Sequence, residues 1–176
     1  MSWQAKSGCP TSVLESHHMK GNPKVIAALN EALKEELTAI NQYFLHAEMC
    51  ENWHYGRLGG YIKKQSIDEM KHAEMLIERI LFLDGTPNLT ELMQLNVGKN
   101  VKEQIESDLK LEIDAVGLYN RFVQLARDEG DNASRELFER LLKDEEQHVD
   151  WLEAQVHQIH EIGYERYLSQ QVGEEK

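Results

Sequence analysis

Nowhere in this chain do apolar residues run for the roughly 18 positions that a bilayer crossing needs. The N-terminal stretch also lacks the apolar core of a secretory signal, so no membrane partner and a soluble, cytoplasmic setting are expected. Positive charge is scarce: 19 Lys and Arg face 31 Asp and Glu, for a formal net charge of −12. Nucleic-acid binding is driven by Lys and Arg releasing counter-ions from phosphates, so that class of partner is excluded, while an acidic surface or cavity attracts cations. Cysteine is nearly absent. Cys9 lies in a polar tail and Cys50 near a helix end, a usage that excludes a disulfide framework and fits a reducing compartment. What is present is 176 residues with 41% hydrophobic content, enough for one domain with a substantial core and too little for two.

Residues 1–20 mix Ser, Gly, Pro, Thr and two histidines without helical or strand period, which predicts a flexible extension; Met19 is read as the original start. The domain is expected over 21–176. Asn22 followed by Pro23 is an N-cap and first-turn pair, and Ile26, Leu29, Leu33, Leu37, Ile40, Phe44 and Ala47 carry a helical stripe to about Trp53. Gly56, Gly59 and Gly60 punctuate the chain. A second helix then presents Ile62, Ser66, Glu69, Ala73, Leu76 and Ile80 inward and ends at Asp84 and Gly85. The stretch 85–100, with Pro87, Asn88 and Gly98, is too long for a turn between antiparallel neighbours and should cross the length of a bundle. A third helix follows with Val101, Ile105, Leu109, Glu112, Val116, Tyr119 and Val123 on one face, closing near Gly130. The fourth carries Leu137, Leu141, Glu145, His148, Leu152 and Ile159, and beyond Gly163 a short fifth helix spans about 164–171. The expectation is an all-α four-helix bundle with one long crossover.

Two intervals recur in this pattern. Glu36 precedes Glu69 and His72 by 33 and 36 residues, and Glu112 precedes Glu145 and His148 by the same 33 and 36. This reads as a duplicated metal half-site: two helical hairpins, each with one Glu on its first helix and a Glu-x-x-His step on its second. Glu-x-x-His alone is weak, since the chain has it four times and a single copy is more often a solvated helix face. Glu15/His18 lies in the aperiodic tail and Glu51/His54 at a helix end, neither with a facing carboxylate. The other two sit mid-helix among Leu, Ile, Val and Ala, where residues three apart share a face and can grip one ion. Four buried carboxylates raise one another's pKa and are costly to desolvate, and two divalent cations remove that conflict. Carboxylates with one imidazole per ion and no thiolate suit iron or manganese, iron first. His46, His54, His157 and His160 find no ligand partners and are read as solvated or satisfied side chains.

The stretches AINQYFLHAEM around Glu36, SIDEMKHAE around Glu69, ILFLDGTPNL at the crossover, SDLKLEID around Glu112 and DEEQHVDWLEAQ around Glu145 resemble the bacterioferritins, over nearly everything from Met19 to Gln171. The resemblance implies a ferritin-like bundle in which Glu36 with His72 binds one iron, Glu112 with His148 the other, and Glu69 and Glu145 bridge them as a ferroxidase centre. It implies that Met70, about 100° around the helix from Glu69, supplies its thioether to one haem b shared between two subunits across a twofold axis. From packing alone Met70 is interface filler. One departure stands out: many bacterioferritins carry a His and an Asp one turn apart on the second helix as an inner-surface iron site, where this chain has Lys64 and Asp68. Tyr43 and Trp151 match aromatic positions near the centre that could serve as one-electron donors, but buried aromatics in a bundle are more often plain core, and they are not read as catalytic. The function so implied is iron storage: Fe(II) binds, oxygen or peroxide oxidises it, and Fe(III) passes as mineral into a homo-oligomeric shell of two dozen subunits, with a small ferredoxin as electron donor. A di-metal oxygenase, peroxidase or manganese catalase on the same bundle, or a haem-dimer electron carrier, are the alternatives.

Overall fold

In the computed structural model, which describes residues 20–173, four long helices and one short one follow in order: α1 (Pro23–Asn52), α2 (Gly56–Phe82), α3 (Val101–Asp128), α4 (Asn132–Ile162) and α5 (Tyr164–Gln170). Expectations on residues 1–19, including Cys9 and Glu15/His18, lie outside the described residues. Local chemistry sets the boundaries. The Asn22 side chain accepts from the Lys24 amide, with Pro23 at the first helical position. Asn100 caps α3 through the Glu103 amide at 3.0 Å while the Glu103 carboxylate returns to the Lys99 amide, a reciprocal cap that satisfies two otherwise orphaned donors. Asp131 caps α4 through the Ser134 amide. Helices of 27 to 31 residues extend roughly 40–47 Å at 1.5 Å per residue.

α1 packs chiefly on α2, and α3 on α4; the two hairpins meet through α1 with α3 and α2 with α4. The glycines expected to separate the first two helices instead lie within α2. A Cβ at Gly59 would come within 3.2 Å of the Ala47 carbonyl oxygen, so the residue permits close approach of α1 and α2.

The crossover, residues 83–100, follows α1 along a ladder of hydrogen bonds. The backbone amides of Asn88, Met93, Asn96 and Gly98 donate in turn to side chains of Asn30, Thr38, Gln42 and His46 at 2.7–3.1 Å. An irregular segment cannot satisfy its own N–H groups, and α1 supplies the acceptors. At its end Gly98 lies against the first turn of α3, where a Cβ would fall 2.2 Å from the Gln104 nitrogen.

Two inward faces differ from the expected stripes. Phe44 is 52% exposed on the outer flank of α1, with the Lys63 ammonium 6.0 Å from its ring centroid. On α3, Leu109, Val116 and Val123 are only half-buried, and the face toward the core runs through Asp108, Leu111, Ala115, Leu118 and Phe122. The cause is polar: Gln104 and Asp108 are buried by partners on α1, and a hydrophobic count does not register them.

The core comes in two parts. One contains Leu29, Leu33, Leu76, Ile80, Tyr119, Phe122, Phe138 and Leu141; the other contains Ala39, Tyr43, Leu58, Ile62, Ile105, Leu111 and Leu152. Along every long helix the change from one part to the other falls at the same place: Glu36 on α1, Glu69 and His72 on α2, Glu112 on α3, and Glu145 and His148 on α4. A charged layer thus crosses the middle of an apolar bundle.

Candidate metal centre

All six residues singled out by the repeated intervals meet in this layer, and all are buried. They form two overlapping groups. Glu36, Glu69, His72 and Glu145 place one ligand atom each within 4.8 Å of one another, and so do Glu69, Glu112, Glu145 and His148. Glu69 and Glu145 belong to both. Each gives one oxygen to either half: Glu69 Oε2 is 2.8 Å from His72 Nδ1 and its Oε1 2.9 Å from His148 Nδ1. Glu145 Oε1 is 3.2 Å from His72 Nδ1 and its Oε2 3.3 Å from His148 Nδ1. Glu36 Oε2 stands 3.5 Å from His72 Nδ1, and Glu112 Oε2 stands 3.8 Å from His148 Nδ1.

Both Nδ1 atoms, Glu36 Oε2, both oxygens of Glu69 and Glu145 Oε1 are buried without an aligned hydrogen-bond partner. Close approach without pairing geometry is costly for buried polar groups, and it is the arrangement of atoms that converge on cations.

The halves are related by 76 positions: Glu36 to Glu112, Glu69 to Glu145, His72 to His148. Tyr43 and Tyr119 obey the same interval, each seven residues after the Glu of its own helix, and they cross over. The Tyr43 hydroxyl donates to Glu112 Oε1 and the Tyr119 hydroxyl to Glu36 Oε1. Each terminal carboxylate therefore has one oxygen engaged and one free toward its histidine. In the sequence pattern Tyr119 is one residue of a helix face, and the signal that singles it out is its seven-residue spacing from Glu112. Trp151, by contrast, is half-buried and stacked on Tyr61 at 4.0 Å.

Burial pushes the Glu36 carboxyl up to about 8, against the pull of His72. Burial and then the charges of Glu69, Glu36 and Glu112 hold Glu145 well above the usual carboxylate range. Burial also acts to raise Glu69, but the nearness of His148 and His72 outweighs it and holds this carboxyl down at about 2. Burial would lower both histidines, yet the contacts with Glu145, Glu36 and Glu69 raise His72, and those with Glu112, Glu145 and Glu69 raise His148. Without metal the imidazoliums stand in as counter-cations.

Two further buried acids, Glu35 and Asp108, carry no mark at fixed spacing in the sequence. Glu35 is 3% exposed, its Oε1 lacks a partner, and burial followed by the charge of Glu36 raises it well above the ordinary range. Asp108 receives Gln42 Nε2 at 2.8 Å and His46 Nδ1 at 2.9 Å, which explains His46 as a satisfied side chain. His54 lies in the turn after α1 in a left-handed conformation, and His157 and His160 are exposed. Met70 points away from the centre, 56% exposed on α2. No helix among the described residues is long and apolar enough to cross a membrane.

Comparison with known proteins agrees with this geometry. The ferritin family, described as a ferritin-like domain, matches residues 26–162. The bacterioferritin of Brucella melitensis is 48% identical over 149 residues, 85% of this chain and 92% of the relative. That of Mycolicibacterium paratuberculosis is 43% identical over 152 residues, 86% of this chain and 96% of the relative. Among solved structures, Mycobacterium tuberculosis bacterioferritin, BfrA, superposes with a TM-score of 0.87 at 42% identity, covering 88% of this chain and 98% of that one. The chain belongs to the bacterioferritins, within the ferritin-like family.

Proposed function

We propose that this chain stores iron, and that the buried layer is a ferroxidase centre at which two Fe(II) ions bind as substrate and are oxidised together. The observation that carries this reading is the double allegiance of Glu69 and Glu145, each with one oxygen toward either histidine. Each ion then receives one imidazole Nδ1, one oxygen of Glu36 or Glu112 and one oxygen from each bridging carboxylate. Hard oxygen donors with a single nitrogen suit iron, and four protein atoms leave positions free for oxidant on an ion that accepts six. Each Fe(II) gives up one electron, and dioxygen or peroxide takes the pair. The chain's part is to hold the ions at one depth, exclude water with the apolar halves on either side, and accept or release protons at His72, His148, Glu36 and Glu145.

Met70 fits the remaining family function. Its thioether is free on an outer face that also exposes Ile67 and Phe44, as a ligand to a haem b shared by two copies requires; such a haem supplies an electron path. A homo-oligomeric cage of 24 subunits, a ferredoxin donor, a cytoplasmic setting and the division into a 1–20 extension and a 21–176 di-iron domain belong to the same proposal.

The test is Glu69→Ala in the assembled protein. Anaerobic Fe(II) titration of the metal-free wild type is expected to saturate at two ions per chain, with oxidation in pairs and a large iron load per shell. The variant should bind at most one ion and lose rapid oxidation while the shell persists. Unchanged oxidation would remove the centre from the reaction, and a wild type that binds two ions without accumulating iron would point to a di-metal enzyme.

A further inference from the structure

Between α2 and α4 a cavity of about 370 Å³ opens onto both ligand histidines, lined also by Asp68, Lys71, Asp144 and Gln147. The 76-residue interval pairs these as well: Asp68 with Asp144, Lys71 with Gln147, His72 with His148. The Nδ1 atom of His72 faces the carboxylate cluster, so its Nε2 faces outward, and there it lies 3.5 Å from Asp144 Oδ2. Gln147 fixes that carboxylate from the other side, its amide 3.3 Å from Asp144 Oδ1. Asp68 is built alike, one residue before Glu69 as Asp144 is before Glu145. Lys71, three residues on, donates to Asp68 Oδ1 at 2.5 Å.

The two arrangements differ in charge. Gln147 is neutral and leaves Asp144 with its full charge for the imidazole. Lys71 is cationic and takes part of that charge from Asp68, which makes no ion-pair contact with His148 among the described residues. A carboxylate on the outer N–H of a ligand histidine fixes the ring and strengthens its donor nitrogen, and losing such a partner costs roughly 10–100-fold in metal affinity.

We propose that Asp144 is a positioning residue for His72, that Lys71 holds Asp68 away from the matching role toward His148, and that the Glu36/His72 half therefore takes its ion before the Glu112/His148 half. The proposal rests on the di-metal reading above.

Co(II), which is not oxidised under anaerobic conditions and reports its ligands by visible absorption, is the probe, with the full assembled chain. The wild type is expected to bind two Co(II) per chain in separable steps. Asp144→Asn should weaken the first step roughly 10–100-fold and spare the other. Lys71→Gln should draw the two steps together. The exchangeable imidazole N–H resonances of the Co(II) protein should show the same selectivity, with only one moving in Asp144→Asn. Asp68, Lys71 and Asp144 are not core residues, so the bundle persists in these variants. Two ions bound, with Asp144→Asn altering both steps equally or neither, or with Lys71→Gln leaving their separation unchanged, would overturn the proposal. A wild type that binds no Co(II) would instead overturn the di-metal reading.

Discussion

Loading two divalent ions into the metal-free centre should expel about four protons per chain near pH 7. His72 and His148 each have one oxygen of Glu69, the carboxyl that is held low, within 2.9 Å of Nδ1, stay protonated against it, and must each lose a proton before Nδ1 can bind metal. Glu145 is raised well above the usual range and carries a third. Glu36, pushed up to about 8 by burial, carries most of a fourth. Four protons out for two doubly charged ions in leaves the buried layer with the same net charge, so neither state exposes the apolar core to an uncompensated field. The sign follows directly. Binding releases protons, so affinity falls with falling pH, at roughly 1.4 kcal/mol per proton per pH unit, or about 5 kcal/mol per unit for the pair of ions. Above pH 8 the Glu36 contribution fades and the count should drop toward about three. Calorimetric titration with Zn(II), repeated in buffers of different ionisation enthalpy, counts the protons without redox chemistry. A release of one proton or fewer per chain at pH 7 would refute the assignment of the histidines as counter-cations.

Tyr119→Phe leaves Glu36 Oε1 buried without its donor, a deficit of about 1–3 kcal/mol, and should weaken the Glu36/His72 step in a Co(II) titration while Tyr43→Phe weakens the other. Equal effects of both variants on both steps would contradict the crossed pairing. His46→Leu strips Asp108 of a partner and the Gly98 amide of its acceptor, so unfolding should become easier by about 2–4 kcal/mol, and hydrogen exchange should rise first at residues 96–98; protection unchanged there would count against the ladder. Met70→Leu should abolish the haem absorption bands while leaving Co(II) binding intact, because the two faces of α2 are separate. Retained haem would move its ligand elsewhere.

The six clustered residues were legible because a matched pair of intervals survives as arithmetic in the sequence. Helix positions and the crossover followed from caps and periodicity. What stayed hidden is polar pairing across helices. Thr38, Gln42, His46 and Asp108 each look like a polar interruption in an apolar pattern; their partners are backbone amides of an aperiodic segment or one another, and neither leaves a mark at fixed spacing. Phe44 misleads for the opposite reason: an aromatic residue in helical register reads as core, yet it lies exposed, as Ile67 and Met70 do.

Where the duplication fails is as informative as where it holds. The six clustered residues, the crossed tyrosines and the aspartates at 68 and 144 all repeat at 76, so the layer is close to symmetric at its centre. Symmetry breaks at Glu35, whose counterpart at the same interval is Leu111, and at Lys71, whose counterpart is Gln147. Glu35 sits on α1, the helix whose side chains carry the crossover, and Leu111 on α3. A single strap cannot be duplicated by joining two hairpins, since it runs once from α2 to α3 and covers one helix of the four. Thr38, Gln42 and His46 on α1 accept from the strap, and their counterparts at the same interval on α3 are Asp114, Leu118 and Phe122. The six central side chains are equivalent and their surroundings are not, in part because the strap runs along one helix only and in part because Lys71 stands where its counterpart is Gln147.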